Sequence, residues 1–143
     1  MSPEEKKTFV RKWIEKVWDA GDFSAFEKFA VPEYTFAAPG IGPLGREALE
    51  AFVTDFRRGL PDLHNTIEDQ VAEGGKVVTR GTHTGAWSGI PASRARVECS
   101  WFLFTRFDGD KIAEDWEVYD SLTLMQQIGT VRMTGSAGAQ LLS

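Results

Sequence analysis

Hydrophobic residues recur at helical spacing through the first 60 residues of the chain. The tetrapeptide Ser-Pro-Glu-Glu at 2–5 combines an N-cap, a proline in the first turn and the glutamate of a capping box, so it predicts a helix start. The helix that follows carries one broad apolar stripe and ends near 20–21. Its apolar members are Phe9, Val10, Trp13, Ile14, Val17 and Trp18.

Two further helices and one short strand are predicted before residue 60. Asp22 is placed to cap a short helix that carries three phenylalanines at three-residue spacing and stops before the next proline. Residues 33–38 predict a strand, and the Pro- and Gly-rich segment 39–43 predicts a loop without regular structure. Residues 46–58 place four apolar side chains on one face, which predicts the third helix.

From Leu63 onward the apolar period changes to two. Leu63, Ile67 and Val71 alternate with polar neighbours, which predicts a strand with its apolar side toward the core. Turn signals at 73–75 and 108–110 predict two hairpins. The remaining predicted elements are strands at 77–84, 96–107 and 111–119 and a helical turn at 121–127.

Runs of helices followed by runs of strands predict an α+β fold, with three N-terminal helices on one face of a mainly antiparallel sheet. A strongly curved sheet covered in this way would enclose a cavity. The chain has 143 residues, a length typical of one domain with one core. We therefore assign residues 1–129 to one domain and expect 130–143, which have little apolar surface, to form a flexible tail.

Composition and charge exclude several classes of protein. The net charge is −5 and the 16 Lys and Arg residues are dispersed, so a nucleic-acid-binding surface is not expected. No apolar run reaches 18 residues, so no membrane span is expected. Cys99 is the only cysteine and only two histidines accompany it, which predicts no disulfide and no zinc site and favours a cytoplasmic location.

Seven short motifs occur in a characteristic order along the chain. They are Val-Trp-Asp-Ala-Gly-Asp at 17–22, Pro-Glu-Tyr at 32–34, Pro-Asp-Leu at 61–63, Gly-Thr-His-Thr-Gly at 81–85, Gly-Ile-Pro at 89–91, Lys-Ile-Ala-Glu-Asp-Trp at 111–116 and Leu-Met-Gln-Gln-Ile-Gly at 124–129. In order and spacing the chain resembles the SnoaL-like polyketide cyclases of the nuclear transport factor 2-like superfamily. The resemblance extends over about residues 8–129.

This resemblance implies a cone-shaped α+β barrel whose open end accepts a small molecule. Its better-known members close polyketide rings by intramolecular aldol chemistry, usually as homodimers or tetramers, and that branch implies no metal and no organic cofactor. We therefore expect an acid/base enzyme that cyclises or isomerises a polyketide- or terpenoid-like ketone. Its expected partners are a small hydrophobic ligand and a second copy of the chain. The alternative is a non-catalytic binding protein of the same fold.

The register of the last two strands decides which carboxylates face the cavity. A three-residue connection at 108–110 puts Asp115 and Glu117 on the face of the long strand's apolar side chains. The pairs in that register are Thr105 with Ala113, Leu103 with Asp115, Trp101 with Glu117 and Cys99 with Tyr119. A two-residue turn would instead bring Glu114 and Trp116 to that face.

The resemblance supports the first register, because the cavity residues of related last strands match Asp115 and Glu117. SnoaL-type cyclases use an acidic residue near the second of these positions as general acid/base. We predict Glu117 as the proton-transferring group and Asp115 as its modulator or as the base itself, with one pKa raised by burial and like charge. Solvated carboxylates, or ion pairs with Arg94, Arg96 or Arg106, are the equally open alternative.

Large apolar and aromatic side chains are the candidates for substrate binding. They are Trp13 in the first helix, Trp101 and Leu103 on the long strand, Tyr119 on the last strand and Trp87 in the loop before 89–91. Trp13 fits core packing equally well, and Trp87 fits a dimer contact. Tyr119 is a candidate oxyanion donor or a rim residue. For His83 the motif favours a local hydrogen bond or a subunit contact over catalysis.

Three apolar residues occupy positions where many relatives carry proton-handling side chains. They are Ala37, Ala38 and Leu103. The steroid-isomerase branch of the superfold has its base near Ala38, and limonene-epoxide-hydrolase relatives place an acid and an arginine where this chain has Leu103 and Thr105. Both of those chemistries are therefore disfavoured.

Overall fold

The computed structural model describes residues 1–132. The helical elements are α1 (Pro3–Ile14), a π-helical turn (Glu15–Asp19), α2 (Ala25–Phe29), α3 (Arg46–Gly59) and α4 (Ser121–Gln127). The strands are β1 (Ala30–Ala38), β2 (Ile41–Leu44), β3 (His64–Glu73), β4 (Lys76–Ala86), β5 (Arg96–Asp108) and β6 (Lys111–Tyr119). Most of the predicted tail 130–143 lies outside the described residues.

All six strands form one mixed sheet in the order β2-β1-β6-β5-β4-β3. β1 runs parallel to β6, and every other neighbouring pair is antiparallel. Residues alternate strictly between buried and exposed along β5, because one face of the sheet packs against the helices and the other does not. The predicted α+β class, with three helices preceding most of the sheet, is confirmed.

The first helix begins as its sequence predicts. The Ser2 hydroxyl accepts a hydrogen bond from the Glu5 backbone N–H, and the Glu5 side chain accepts from the Ser2 N–H, which completes the capping box. The helix widens at its end, where the Ala20 N–H donates to the Glu15 carbonyl 2.9 Å away. Gly21, at φ +62°, then ends the helical path.

Two expectations about the edges of the sheet are wrong. The segment 39–43 was expected to exclude regular structure, but Ile41–Leu44 forms β2 and pairs with β1. Pro43 is tolerated there because β2 is an edge strand with no neighbour on its outer side. Val71 was expected to face the core, but it is 62% exposed. A β-bulge at Glu68, between the pairs Ile67–Gly81 and Asp69–Arg80, reverses the alternation of β3.

The β5–β6 hairpin differs from both predicted registers. Asp108 pairs with Lys111, so the connection has two residues, but Ala113 is an extra residue in β6. A two-residue turn alone would place Asp115 and Glu117 on the outer face, and the extra residue returns them to the inner face. The observed pairs are Thr105 with Asp115, Leu103 with Glu117 and Trp101 with Tyr119. The predicted pairing was therefore wrong by two residues, whereas the predicted shared face is correct.

The main core lies between the helices and the inner face of the sheet. Trp13, Phe29, Phe36 and Leu49 are its largest fully buried side chains, drawn from α1, α2, β1 and α3. A smaller apolar cluster under α4 contains Leu60, Leu63, Val97 and Ile128. No helix within residues 1–132 is long and apolar enough to cross a membrane.

Candidate active site

One apolar cavity opens between the helices and the inner face of the sheet. Its volume is about 80 Å³. Its lining is mostly apolar and aromatic with few polar groups, the usual character of a small-molecule site. The lining residues are Ile14, Trp18, Phe36, Ala38, Ile41, Phe52, Phe56, Leu63, Asn65, His83, Trp101, Leu103, Glu117 and Tyr119.

The Asp115 carboxylate lies behind the cavity wall and is 1% exposed. Its Oδ2 accepts hydrogen bonds from Trp13 Nε1 at 2.8 Å and from the Tyr34 hydroxyl at 2.7 Å. Its Oδ1 accepts from the Thr105 hydroxyl at 2.6 Å. Burial raises the pKa of Asp115, while these three hydrogen bonds favour its ionised form. Three donors around one carboxylate make Asp115 a fixed acceptor at the junction of helix and sheet.

The Glu117 carboxylate faces the cavity and has no hydrogen-bond partner within residues 1–132. Its neighbours along the wall include Leu103, its cross-strand partner, and Trp101. Desolvation first, and the negative charge of Asp115 second, raise the pKa of Glu117 from 4.5 to about 8. A carboxyl group with such a pKa holds its proton at neutral pH and can exchange it near pH 8, as a general acid/base requires.

His83 and Tyr119 form a second polar group in the cavity wall. The Tyr119 hydroxyl lies 2.6 Å from His83 Nε2, and the two rings meet edge to face with centroids 5.1 Å apart. Phe56 packs against both rings. Burial lowers the pKa of His83 to about 4 and raises that of Tyr119, so both groups are neutral at physiological pH.

A glycine opposite Trp101 on the neighbouring strand shapes the wall of the cavity. A carbon attached to Gly81 would lie 2.1 Å from Cζ2 of the Trp101 ring, so only glycine lets the indole lie against β4. Trp101 Nε1 is buried and has no partner among the described residues. Gly81 on the neighbouring strand thus leaves the space that the Trp101 ring occupies against the sheet.

The structure brings four of the predicted site residues to the cavity and keeps three away from it. Glu117, Trp101, Leu103 and Tyr119 line the cavity. Trp13 and Asp115 are instead hydrogen-bonded to each other beneath its wall. Trp87 lies in a surface loop, where its indole packs against Gly59 and its Nε1 donates to the Pro91 carbonyl at 2.9 Å.

Several lining residues were not among the predicted ligand contacts. They are Ile14, Phe36, Phe52, Phe56, Leu63 and Asn65. The aromatic members belong to apolar stripes that predicted core packing, and no sequence signal separates a stripe that fills a core from one that borders a cavity. His83 was predicted to form a local hydrogen bond or a subunit contact, but its contact with Tyr119 links β4 to β6 across 36 positions of the sequence.

Within residues 1–132 no group of three or more His, Cys, Asp or Glu side chains is arranged to hold a metal ion. The Cys99 thiol is buried, which raises its pKa to about 11. The polar side-chain groups of the cavity lining are those of Glu117, His83, Tyr119 and Asn65, together with the indole N–H of Trp101. Such a set can bind an oxygen atom and move one proton.

A mixed sheet covered by helices, with a cavity against its inner face, defines the nuclear transport factor 2-like class. Residues 8–128 match the family described as SnoaL-like polyketide cyclase. The chain belongs to this family, which confirms the resemblance seen in its motifs.

Solved structures show the same fold. A proposed polyketide cyclase from Acidithiobacillus ferrooxidans is 25% identical, with a TM-score of 0.77 over 86% of this chain and 93% of that one. TsrD from Streptomyces laurentii is 25% identical, with a TM-score of 0.79 over 92% and 99%. AclR from Streptomyces galilaeus, at 19% identity and a TM-score of 0.83 over 98% and 95%, shares the fold. No functionally curated protein is significantly similar to the chain.

The Asp115 contacts predict a strong dependence of stability on this side chain. Asp115→Leu leaves three buried donors without their acceptor and should lower the free energy of unfolding by at least about 3 kcal/mol, since each unpaired group costs about 1–3 kcal/mol. Thr105→Val, which removes one donor, should cost less. Urea denaturation measures both. The exposed Asp69 serves as control, because Asp69→Leu should change stability by no more than about 0.5 kcal/mol. Equal effects at both aspartates would contradict this role.

The raised pKa of Glu117 predicts a pH-dependent contribution to stability. Because the folded-state pKa is about 8 and the ordinary value is 4.5, the folded protein binds a proton that the unfolded chain has lost between these two pH values. The contribution is complete below pH 4.5 and falls as pH rises, by up to about 1.4 kcal/mol per pH unit. Urea denaturation of the wild type and Glu117→Gln from pH 4 to 9 should show this slope in their difference. A flat difference would show that the pKa is not raised.

Proposed function

We propose that the protein is an acid/base enzyme that acts on a small hydrophobic ketone, by aldol-type cyclisation or by isomerisation of a polyketide- or terpenoid-like substrate. The observation that carries the proposal is the Glu117 carboxyl group, which faces an apolar cavity without a hydrogen-bond partner among the described residues and has a pKa near 8. Membership in the SnoaL-like polyketide cyclase family supports the same chemistry.

In this proposal Glu117 exchanges a proton with the carbon next to the substrate carbonyl. Partial removal from water against the apolar wall keeps the carboxyl pKa close to the working pH, where proton transfer in both directions is efficient. The carbonyl oxygen gains negative charge as the proton leaves, and the Tyr119 hydroxyl is the donor on the cavity wall that can stabilise it. Asp115 does not touch the substrate in this scheme and acts by its charge on Glu117.

Proton exchange can be measured without knowledge of the natural substrate. α-Tetralone, a bicyclic aromatic ketone, is incubated with the protein in D₂O, and the loss of its α-protons is followed by ¹H NMR. The wild type should accelerate the exchange, and Glu117→Gln should reduce the accelerated rate by about 10²–10⁴-fold. Asp115→Asn removes the neighbouring charge, so it should move the pH midpoint of the exchange below that of the wild type.

Glu114→Gln is the matched control for this experiment. Glu114 lies on the same strand as Glu117 but pairs with Arg106 on the outer face, so this variant should exchange at the wild-type rate. Acceleration that survives Glu117→Gln would overturn the assignment of Glu117.

A binding protein without catalysis is the second candidate function. The observation in its favour is that Ala38 and Leu103 make two of the cavity positions apolar where other members of the family carry proton-handling groups. Quenching of tryptophan fluorescence by α-tetralone, without any α-proton exchange, would support this candidate and reject the first.

We further propose that the protein is a homodimer formed through the outer face of its sheet. Four large apolar side chains lie together there in two cross-strand pairs and are 40–49% exposed. They are Phe102 with Val118 and Phe104 with Trp116. The Arg106–Glu114 ion pair borders them, so a two-fold axis through the patch would bring apolar groups together and place opposite charges at the rim.

Sedimentation equilibrium at micromolar concentration tests this proposal. The wild type should sediment as a dimer, and Trp116→Glu should sediment as a monomer, because a charge placed within the patch would be buried without a partner. Leu122→Glu introduces the same charge at an exposed site on α4, away from the outer face of the sheet, and should leave the dimer intact. A wild-type monomer would contradict the proposal, as would a Trp116→Glu dimer.

A further inference from the structure

His83 is the buried polar side chain of the cavity wall that the proposed chemistry does not use. It is 1% exposed, and its ring packs on Phe56 with centroids 5.6 Å apart and an interplanar angle of 31°. Nε2 contacts the Tyr119 hydroxyl at 2.6 Å, whereas Nδ1 is buried with no partner among the described residues. One nitrogen is thus engaged and the other is not.

A neutral imidazole carries a single N–H, so two arrangements are available to this pair. If Nδ1 carries the hydrogen, a donor is buried without an acceptor and the Tyr119 hydroxyl donates its own hydrogen to Nε2. If Nε2 carries the hydrogen, it donates to the Tyr119 oxygen, Nδ1 keeps an unused acceptor lone pair and the tyrosine hydrogen has no partner among the described residues. Nδ1 is fully buried, whereas Tyr119 is only partly buried and lines the cavity, so the unpaired hydrogen is better placed on the tyrosine, which favours the second arrangement.

The second arrangement leaves the Tyr119 hydrogen free. Tyr119 lines the cavity together with Glu117, and both side chains project from the inner face of β6. The Cys99 thiol, cross-strand partner of His83 on β5, lies beside the Tyr119 hydroxyl but offers it only sulfur, which is a weak acceptor. An oxygen atom of a ligand would be a far better acceptor for the Tyr119 hydroxyl.

We infer that His83 is a positioning residue: its Nε2–H donates to the Tyr119 oxygen and so directs the tyrosine hydroxyl to donate to a carbonyl oxygen of the ligand. This inference rests on the proposed function for the role of the carbonyl, but it concerns ligand recognition. The site would prefer a ketone to a hydrocarbon of the same shape.

NMR spectroscopy of the full chain labelled with ¹⁵N-histidine tests the tautomer without any ligand. The chain has only two histidines, and a His64→Gln variant assigns their signals. We expect protonated Nε2 and bare Nδ1 in His83, unchanged from pH 8 to pH 5, because burial holds its pKa near 4. A hydrogen on Nδ1, or a cationic ring at pH 6, would overturn the inference.

Binding of two matched probes tests the consequence for recognition. α-Tetralone and tetralin have the same bicyclic skeleton, but only the ketone accepts a hydrogen bond. Tyr119→Phe should weaken α-tetralone binding about 3- to 10-fold, the value of one neutral hydrogen bond, and leave tetralin binding unchanged. His83→Phe should show the same selective loss, and the Tyr119→Phe/His83→Phe double variant should lose no more than Tyr119→Phe alone.

His83→Gln provides the rescue, because its side-chain amide can place an N–H near the position of Nε2. Its affinity for α-tetralone should return toward that of the wild type. If His83→Phe weakens both probes equally, or if His83→Gln behaves like His83→Phe, the histidine acts only in packing and the inference is wrong. These measurements need no turnover. If Glu117 fails to catalyse exchange, the proposed function is wrong, but the inference about His83 and Tyr119 is unaffected.

Discussion

The buried carboxylate of Asp115 is the interaction on which the arrangement of the domain depends. Apolar contacts hold the helices on the sheet but tolerate small shifts, whereas three donors around one acceptor allow a single alignment. They join α1 through Trp13, β1 through Tyr34 and β5 through Thr105 to the last strand. The same charge also raises the pKa of the neighbouring Glu117. Structure and proposed chemistry are therefore coupled through one residue.

The cavity divides its polar groups between two tasks. Glu117 stands without a partner among the described residues and has a pKa suited to proton exchange, while the neutral pair of His83 and Tyr119 has no charge to offer and can only direct a hydrogen bond. Apolar and aromatic side chains line the cavity around both groups, which strengthens each polar contact inside. An oxygen-bearing hydrophobic ligand fits this division better than a charged one.

Local sequence signals predicted most of the elements and the family. The capping box at Ser2, the strand 111–119 and the helix 121–127 are confirmed because neighbouring residues determine them. The β-bulges at Glu68 and Ala113 were not predictable, since nothing in the residues around either position marks an insertion. The sequence also did not show that Asp115 and Glu117 occupy different environments. Asp115 meets Trp13 across 102 positions of sequence, and no local pattern carries such a contact.

The bulge at Ala113 sets the orientation of all the side chains that follow it in β6. Side chains alternate between the two faces of the sheet, so this one extra residue determines which face each later side chain of β6 occupies. Deletion of one residue between Lys111 and Asp115 would move Asp115 and Glu117 to the outer face and bring Trp116 and Val118 to the inner face. A point substitution in this strand changes one side chain and leaves the alternation intact, while a single-residue insertion or deletion before Asp115 would erase the cavity chemistry and the outer patch together.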